Sequence, residues 1–408
     1  MRVSTAQFYH QSSLQMSNKS SEVNEQMTYL SSGKRVLTAK DDAVQYGTLA
    51  GYKDELASIE KYKRNITMAE SSNSLQEVVF ADAESILDNI KQDMLLANNG
   101  RMSNEDLQSM AKQVQSRFDQ LLDIANTQDE KGEYIFSGYQ TEQQPFSQQV
   151  DGSVVYNGDS GVNQLQIAKN INIPTSQAGD NVFLKVANTI GDFSANYTTN
   201  TSGAAVESAH VTDRNTYNTS ATPHNYTFTF STNSSTGDTQ LEVFSSGSTT
   251  TPVLTIPNYV AGQTITFDGI DVTLSGKPLP GDEFTLSEQE EISVFQTINS
   301  AISWIDQGVV STNQEQHQVD YNTILNQINS VMNHISSKRA DSGIRLQTLE
   351  SQRSRHLDTE LNVASGKANI EDLDFAKAIA DFEQSKVALQ ASQQAFSKVQ
   401  GLNLFNYI

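Results

Sequence analysis

The hydrophobic pattern is strongest in the C-terminal tail, from Asp374 to Ile408. Phe375, Phe382, Leu389 and Phe396 stand seven residues apart. A seven-residue step on a helix drifts by only about 20°, so these four make one stripe. Ala378, Ile379, Ala388, Ala391, Ala395 and Val399 widen it, and neither Gly nor Pro interrupts residues 371–400. The apolar row continues as Leu402, Leu404, Phe405, Tyr407 and Ile408. Such a helix cannot bury its own stripe and needs another helix or another copy of itself. The N-terminus offers a match. Met16, Val23 and Leu30 are again seven apart, with Met27 beside them, before Ser31-Ser32-Gly33 breaks the helix.

Further helical patterns flank a different middle. After Lys34-Arg35-Val36-Leu37, the acidic pair Asp41-Asp42 can cap a helix that starts near Ala43. Leu49 and Leu56 form one of its rows, and Tyr52, Ile59 and Ile66 another. Leu75, Val79, Ile86 and Ile90 continue the pattern to a stop at Asn98-Asn99-Gly100. Ser103 with Asp106 predicts a capping arrangement for a helix to about Asp129, with Leu107, Val114, Leu121 and Leu122 buried. On the return side, Ile292, Phe295, Ile298, Ile302 and Ile305 predict a helix ending near Gly308. A longer pattern runs from about Thr312 to Val363, with Leu325, Ile328, Met332, Ile335, Leu346, Leu349, Leu357 and Leu361 as its row. About 50 residues at ~1.5 Å each make a rod of ~75 Å, which implies a bundle or coiled coil. Ser365-Gly366 is expected to separate it from the tail helix.

All seven prolines lie between Pro145 and Pro280. Proline breaks helix interiors, so the ends are helix-compatible and the middle is an insertion. There Ser153 to Tyr156, Asn157-Gly158-Asp159 and Leu165-Gln166-Ile167 read as strand, turn and strand. Tyr226 to Phe230, Ile265 to Phe267 and Val272 to Leu274 alternate at period two, between Ser/Thr/Asn-rich runs. The expected fold is α+β and multidomain: a long antiparallel helical bundle or coiled coil from both chain ends, with an inserted antiparallel β domain. The expected boundaries are a terminal helix 1–42 pairing with 366–408, bundle halves 43–140 and 285–365, and the β domain 141–284.

Composition narrows the function. A net charge of -21 argues against nucleic-acid binding, which needs a basic surface. Cysteine is absent, which suits a chain that crosses a membrane unfolded or works outside the cell, although many cytosolic chains also lack it. There is no run of 18 apolar residues for a membrane span. Met1 to Gln15 lacks the pattern of a secretory signal, so any export is expected to use another route.

No cluster reads as an active site, and neither enzyme activity, cofactor nor metal is expected. Ser32-Gly33-Lys34-Arg35 resembles a phosphate loop but has Thr28 for the upstream glycine and Arg35 for the magnesium-binding hydroxyl. His10, His210, His224, His317, His334 and His356 show no ligand spacing. Asp41-Asp42 and Glu290-Glu291 are adjacent and do not face each other on a helix, so capping is the better reading. Asp151, Asn157 and Asp159 lack the calcium-loop pattern and fit hairpin turns. For the terminal stripes, the plain reading is two helices packed on one monomer core. The apolar run right to Ile408 favours partner binding instead.

Both ends resemble the flagellin superfamily. Met1-Arg2-Val3-Ser4-Thr5-Ala6-Gln7-Phe8-Tyr9, and Leu30 to Val36 with Asp41-Asp42, match its N-terminal pattern. Gly132-Glu133-Tyr134-Ile135-Phe136-Ser137-Gly138-Tyr139 with Gln144-Pro145-Phe146 is similar to the hook–filament junction branch. So is the ending, Ala388 to Phe396 and Leu402 to Ile408. Tyr156 to Asp159 and Pro280 to Phe284 extend the likeness loosely into the middle, while about 188–260 has no counterpart. The family often has Pro-Ser-Asp-Asp-Pro where this chain has Ala39-Lys40-Asp41-Asp42-Ala43, and losing both prolines should loosen that turn.

The resemblance implies a structural adaptor joining the hook, through hook-associated protein 1, to the flagellin filament. It implies type III export as an unfolded chain, an extracellular place at the hook–filament junction, and a ring of about eleven copies. It also implies a cytoplasmic export chaperone on the C-terminal stripe, with terminal helices inside the tube and the β domain facing out. A filament subunit, or a surface adhesin built on the same scaffold, is the alternative. The apolar rows name the expected assembly interface as Met16, Val23, Met27, Leu30, Phe375, Ile379, Phe382, Leu389, Phe396 and Leu402. Without intramolecular cover, that stripe should fold on assembly. Phe382→Asp should then leave the helical domain folded and abolish assembly.

Overall fold

The computed structural model describes residues 5–220, 222–246, 248, 250–309 and 312–401. Its helices are α1 (Thr5–Ser32), α2 (Ala43–Ala97), α3 (Asn104–Ala125), the short α4 (Arg214–Tyr217), α5 (Val294–Asp306), α6 (Gln314–Glu371) and α7 (Phe375–Gly401). The chain divides into two compact units, residues 1–65 with 350–408 (unit 1) and residues 66–349 (unit 2). Both α2 and α6 run through the division without a break.

In unit 2 the helices bury apolar rows at alternating spacings of three and four. The rows are Phe80, Ala83, Leu87, Ile90 and Met94 on α2, and Leu107, Ala111, Val114, Phe118 and Leu121 on α3. Tyr321, Ile324, Ile328, Val331 and Ile335 do the same on α6. All join one core with Val294, Phe295, Ile298 and Ile305 of α5. This spacing keeps one face of each helix against its neighbours. The capping arrangement at α3 forms as expected: Ser103 Oγ accepts from Asp106 N (3.2 Å) and Asp106 Oδ2 accepts from Ser103 N (3.2 Å). The helix stops at Ala125, short of the expected Asp129. There the Asn126 side chain donates to Phe146 O (3.1 Å) and accepts from Phe146 N (3.0 Å), which draws the chain away.

The inserted middle is built of antiparallel sheets, as expected, and its side chains enter three cores. Strands β1 (Phe146–Gln148) and β2 (Val154–Tyr156) form a hairpin, as do β3 (Gln164–Ala168) and β4 (Ile171–Pro174). Phe146 and Phe183 enter the helical core, where Phe146–Phe183 (5.4 Å), Phe183–Phe295 (5.7 Å), Phe136–Phe183 (5.3 Å) and Phe118–Phe295 (5.9 Å) make an aromatic hub. The expected pairing of Val154–Tyr156 with Leu165–Ile167 does not occur. Asn157-Gly158-Asp159 folds instead onto residues 137–139: Asp159 N donates to Ser137 O (3.2 Å), and Asp159 Oδ1 accepts from Tyr139 N (3.0 Å) and Gly161 N (2.7 Å). Gly138 sits in the left-handed region, and a Cβ there would lie 2.2 Å from Asp159 O, so only glycine permits this approach.

The remaining strands are β5 (Val186–Ala187), β6 (Phe193–Thr199), β7 (Ala205–Val211), β8 (Asn225–Thr232), β9 (Thr239–Ser245), β10 (Leu254–Ile256), β11 (Ile265–Phe267), β12 (Ile270–Ser275), β13 (Glu283–Glu288) and β14 (Glu291–Ile292). A five-stranded sheet, β10-β9-β8-β13-β6, and a three-stranded sheet, β11-β12-β7, share a second core. All their pairings are antiparallel. Tyr226, Phe228 and Phe230 point inward along β8, the period-two pattern legible in the sequence. β5 pairs with β14, and Val186 and Ile292 belong to the helical core.

In unit 1 the first part of α2 pairs with the last part of α6. Leu49, Ile59 and Val363 are buried, and Tyr62 stacks on His356 at 5.5 Å. Leu357 and Leu361, expected in the buried row, are exposed (51% and 71%). The covered positions here are Gln352, His356 and Val363, four and seven apart. Nor does α6 end at Ser365-Gly366. It continues to Glu371, because Gly366 faces the Tyr52 ring, which a Cβ would approach to 3.0 Å. The break falls at Asp372-Leu373-Asp374. Leu373 N donates to Gly33 O (3.1 Å), and Asp374 Oδ1 accepts from Ala376 N (3.0 Å) and Lys377 N (3.2 Å) at the start of α7.

The turn between α1 and α2 is held by side chains where the family often has prolines. Asp41 Oδ2 accepts from Leu37 N (2.9 Å) and Thr38 N (2.8 Å), and Tyr29 Oη donates to Asp41 Oδ1 (3.0 Å). Asp42 Oδ1 accepts from Val44 N (3.2 Å) and Gln45 N (3.0 Å), the capping read from the sequence. The Glu371 carboxylate closes the other side. Its Oε1 meets Lys34 Nζ (2.8 Å) and Lys53 Nζ (3.1 Å), and its Oε2 meets Lys367 Nζ (3.2 Å). Burial alone would raise the pKa of this group, but the ammoniums of Lys34, Lys53 and Lys367 outweigh it and hold it at about 2.

Two outcomes follow from this packing. Phe183→Ala removes the centre of the aromatic hub and should lower the unfolding free energy by ~3–5 kcal/mol, read by denaturant titration. Glu371 has a folded-state pKa below its ordinary 4.5. Its contribution is therefore complete above about pH 4.5 and lost as pH falls from there toward 2. The stability gap between wild type and Glu371→Gln should be about 2 kcal/mol at pH 7, allowing for solvent screening of the exposed lysines, and should close on acidification. A gap that does not change with pH would contradict this.

Candidate assembly surface

The candidate site is the pair α1–α7. Three contacts fix its register: Tyr9 against Phe396 (5.9 Å between rings, edge-on), Ser385 Oγ donating to Glu22 Oε1 (3.0 Å), and Phe375 against Gly33. The residue numbers rise on one helix as they fall on the other, so the pair is antiparallel. The facing positions on α7 are Ala378, Phe382, Ser385, Leu389, Ser392 and Phe396, four and three apart in turn. On α1 they are Tyr9, Ser12, Met16, Lys19, Val23, Gln26 and Leu30, with the same alternation. This is the spacing of a two-helix coiled coil. Small and polar residues share the seam with apolar ones, so it is a thin core. Lys19 Nζ lies 2.7 Å from Glu22 Oε2, and this bond, followed by that from Ser385, lowers the pKa of the Glu22 carboxyl.

The expected interface residues therefore split into two groups. Met16, Val23, Leu30, Phe382, Leu389 and Phe396 are half-buried against the partner helix. The C-terminal stripe is not left without intramolecular cover, because α1 covers it. Met27, Phe375 and Ile379 remain exposed (60%, 52% and 52%). Leu402 lies outside the described residues. Met27 and Ile379 each follow a seam position by one, on Gln26 and Ala378, and the register sets them level on the same flank. Phe375 keeps the seam spacing, but α1 ends at Ser32, so its ring lies over Gly33 with no side chain beyond. The sequence reading missed Leu14, Val44, Tyr46 and Val387, all exposed. None of them belongs to a seven-residue row, but each would have been found as an apolar residue off the seam of an amphipathic helix.

Among the described residues no group of three His, Asp or Glu could hold a metal ion, and no helix is long and apolar enough to cross a membrane. A cavity of about 930 Å³ lies in unit 2 beside α5 and is lined by amides and hydroxyls such as Gln296, Ser300, Ser303 and Gln327. What the terminal helices offer is apolar area on a rigid pair.

Comparisons with known proteins agree with this emphasis on the ends. The family described as the bacterial flagellin N-terminal helical region matches residues 3–141, and the bacterial flagellin C-terminal helical region matches residues 325–408. Flagellar hook-associated protein 3 of Escherichia coli (strain K12) is 25% identical over 405 residues, 99% of either chain. The crystal structure of flagellar hook-associated protein 3 from Legionella pneumophila superposes with a TM-score of 0.66 at 31% identity, covering 78% of this chain and 98% of that one. A structure of the flagellar junction protein FlgL from the same organism gives 0.64 at 30% identity, covering 80% and 100%. Flagellin helical regions at both ends, and full-length likeness to these proteins, show that the chain belongs to the hook-associated protein 3 (FlgL) family of the flagellin superfamily.

Proposed function

We propose that this chain is the structural adaptor that joins the hook to the filament of the bacterial flagellum, and that it assembles through the flank of its terminal helix pair. One observation carries the choice of surface. After α1 and α7 have covered each other, Met27, Phe375 and Ile379 still face outward. Large apolar side chains left together on a finished pair mark a contact with something else. On this reading the facing row holds the pair, and the flank holds the neighbour.

Magnitudes set the kind of assembly. Burying the outer half of a Met, Phe or Ile gains on the order of 1 kcal/mol each. Three such residues give roughly 3 kcal/mol, less than the ~4–15 kcal/mol lost when two free molecules become one. One contact of this size does not hold two copies together. A closed ring, in which every copy has neighbours on both sides and a template below, does. The proposed partners are hook-associated protein 1 on one side, flagellin on the other, and about eleven copies of this chain between them. Residues 1–42 and 372–408 would make the joint, and the segment from 141 to 284 would face out. Type III export, and an export chaperone on the C-terminal helix before it, complete the proposal.

The test separates flank from seam. Ile379→Asp and Met27→Asp alter exposed positions and should change stability by less than ~0.5 kcal/mol. In a strain lacking the native gene, each should give cells with bare hooks, and Ile379→Val should restore filaments. Phe382→Asp places a charge in the seam and should disturb the pair itself, seen as lost helical signal. Normal filaments on Ile379→Asp and Met27→Asp cells would remove the flank from the joint.

A further inference from the structure

The net charge of this protein is confined to one of its two units. Unit 1 carries 15 Lys and Arg against 15 Asp and Glu, and is neutral; unit 2 carries 12 against 33, which is the whole -21. Both units hold ion pairs, and unit 2 carries further acid besides its Arg117–Asp93, Lys185–Asp180 and Arg339–Glu84 pairs. Unit 1 sets its acids against bases, as in the Glu371 cluster and the Lys63–Glu360 pair (3.1 Å). In unit 2, Asp82, Asp123, Glu130, Glu133, Glu142 and Glu207 are all exposed and make no salt bridge among the described residues. A neutral helix pair of mixed sign can meet a copy of itself without electrostatic cost, whereas two bodies of charge -21 cannot approach without repulsion.

We propose that unit 2 is an electrostatic brake on self-association: its charge keeps free copies of this chain apart at low ionic strength, and small cations release the neutral helix pairs to meet. This rests on the assembly reading above and adds a control to it. Three apolar side chains per contact give a weak attraction, so a long-range repulsion between like charges bears directly on whether copies meet. Screening shortens that repulsion steeply, from a reach of ~30 Å at 0.01 M salt to ~3 Å at 1 M.

The experiment is sedimentation velocity on the purified full chain at fixed high concentration, in sodium chloride from about 0.01 M to about 1 M. Self-association should strengthen by at least about tenfold across this range. A sixfold variant, Asp82→Asn, Asp123→Asn, Glu130→Gln, Glu133→Gln, Glu142→Gln and Glu207→Gln, lowers the charge from -21 to -15. Repulsion scales as the square of charge, so the variant retains about half of it. It should associate at 0.01 M salt as the wild type does only at higher salt, with a weaker salt dependence. Met27→Asp should remove association at every salt concentration in both backgrounds. Association that is equally strong at all salt concentrations, or unchanged in the sixfold variant, overturns the brake and leaves the assembly reading standing. Association insensitive to Met27→Asp overturns the assembly reading and the brake with it, whereas association absent from both wild type and sixfold variant at every salt concentration overturns the brake alone, because a single flank contact does not by itself hold two free copies together.

Discussion

The apolar row on each long helix cannot be buried by that helix alone. Every main feature of this chain answers that constraint. In unit 2, rows on α2, α3, α5 and α6 close on one another around Phe183 and Phe295. In unit 1, the row on α7 finds the row on α1 from the opposite chain end. The pair can form only because the chain turns twice in a small space, at residues 33–42 and 372–374. Glu371 with its three lysines, and the backbone bonds between Gly33, Arg35, Glu371 and Leu373, hold those turns side by side. Local turn chemistry thus sets the register in which the terminal helices meet.

That register decides what is left over. With Ala378, Phe382, Ser385 and Leu389 turned to α1, residues one position further on the helix stand on the flank. Ile379 and Met27 are such residues. A seam of Ser12, Lys19, Gln26, Ser385 and Ser392 among apolar side chains is thin, while the flank keeps side chains that could have thickened it. Charge is divided along the same line: even in unit 1, with the excess of acid in unit 2.

Much of this was legible in the sequence. Heptad rows, the proline boundary, the Ser103–Asp106 cap and the period-two strand at Tyr226–Phe230 need only nearest-neighbour rules. What was not legible depended on contacts distant in sequence. Ser365-Gly366 resembles a stop unless Tyr52 is known to lie against it. Asn157-Gly158 resembles a hairpin turn unless Asp159 is known to be held by Tyr139 and Gly161. The assembly residues were half legible for a similar reason. A seven-residue row shows that a helix has a partner, but not whether that partner is in the same chain. The match of Met16, Val23 and Leu30 to Phe382 and Leu389 is legible in the sequence, but the register that leaves Met27 and Ile379 on the flank depends on the turn geometry.

Deleting the gene and examining the cells by electron microscopy, with an assay of flagellin in the medium, tests the adaptor role most directly. An adaptor between hook and filament, once removed, leaves nothing for exported flagellin to build on. The expected result is cells with complete hooks, no filaments, and monomeric flagellin shed into the medium. Filaments of normal length on the deleted strain, or loss of filament with no flagellin in the medium, would contradict it.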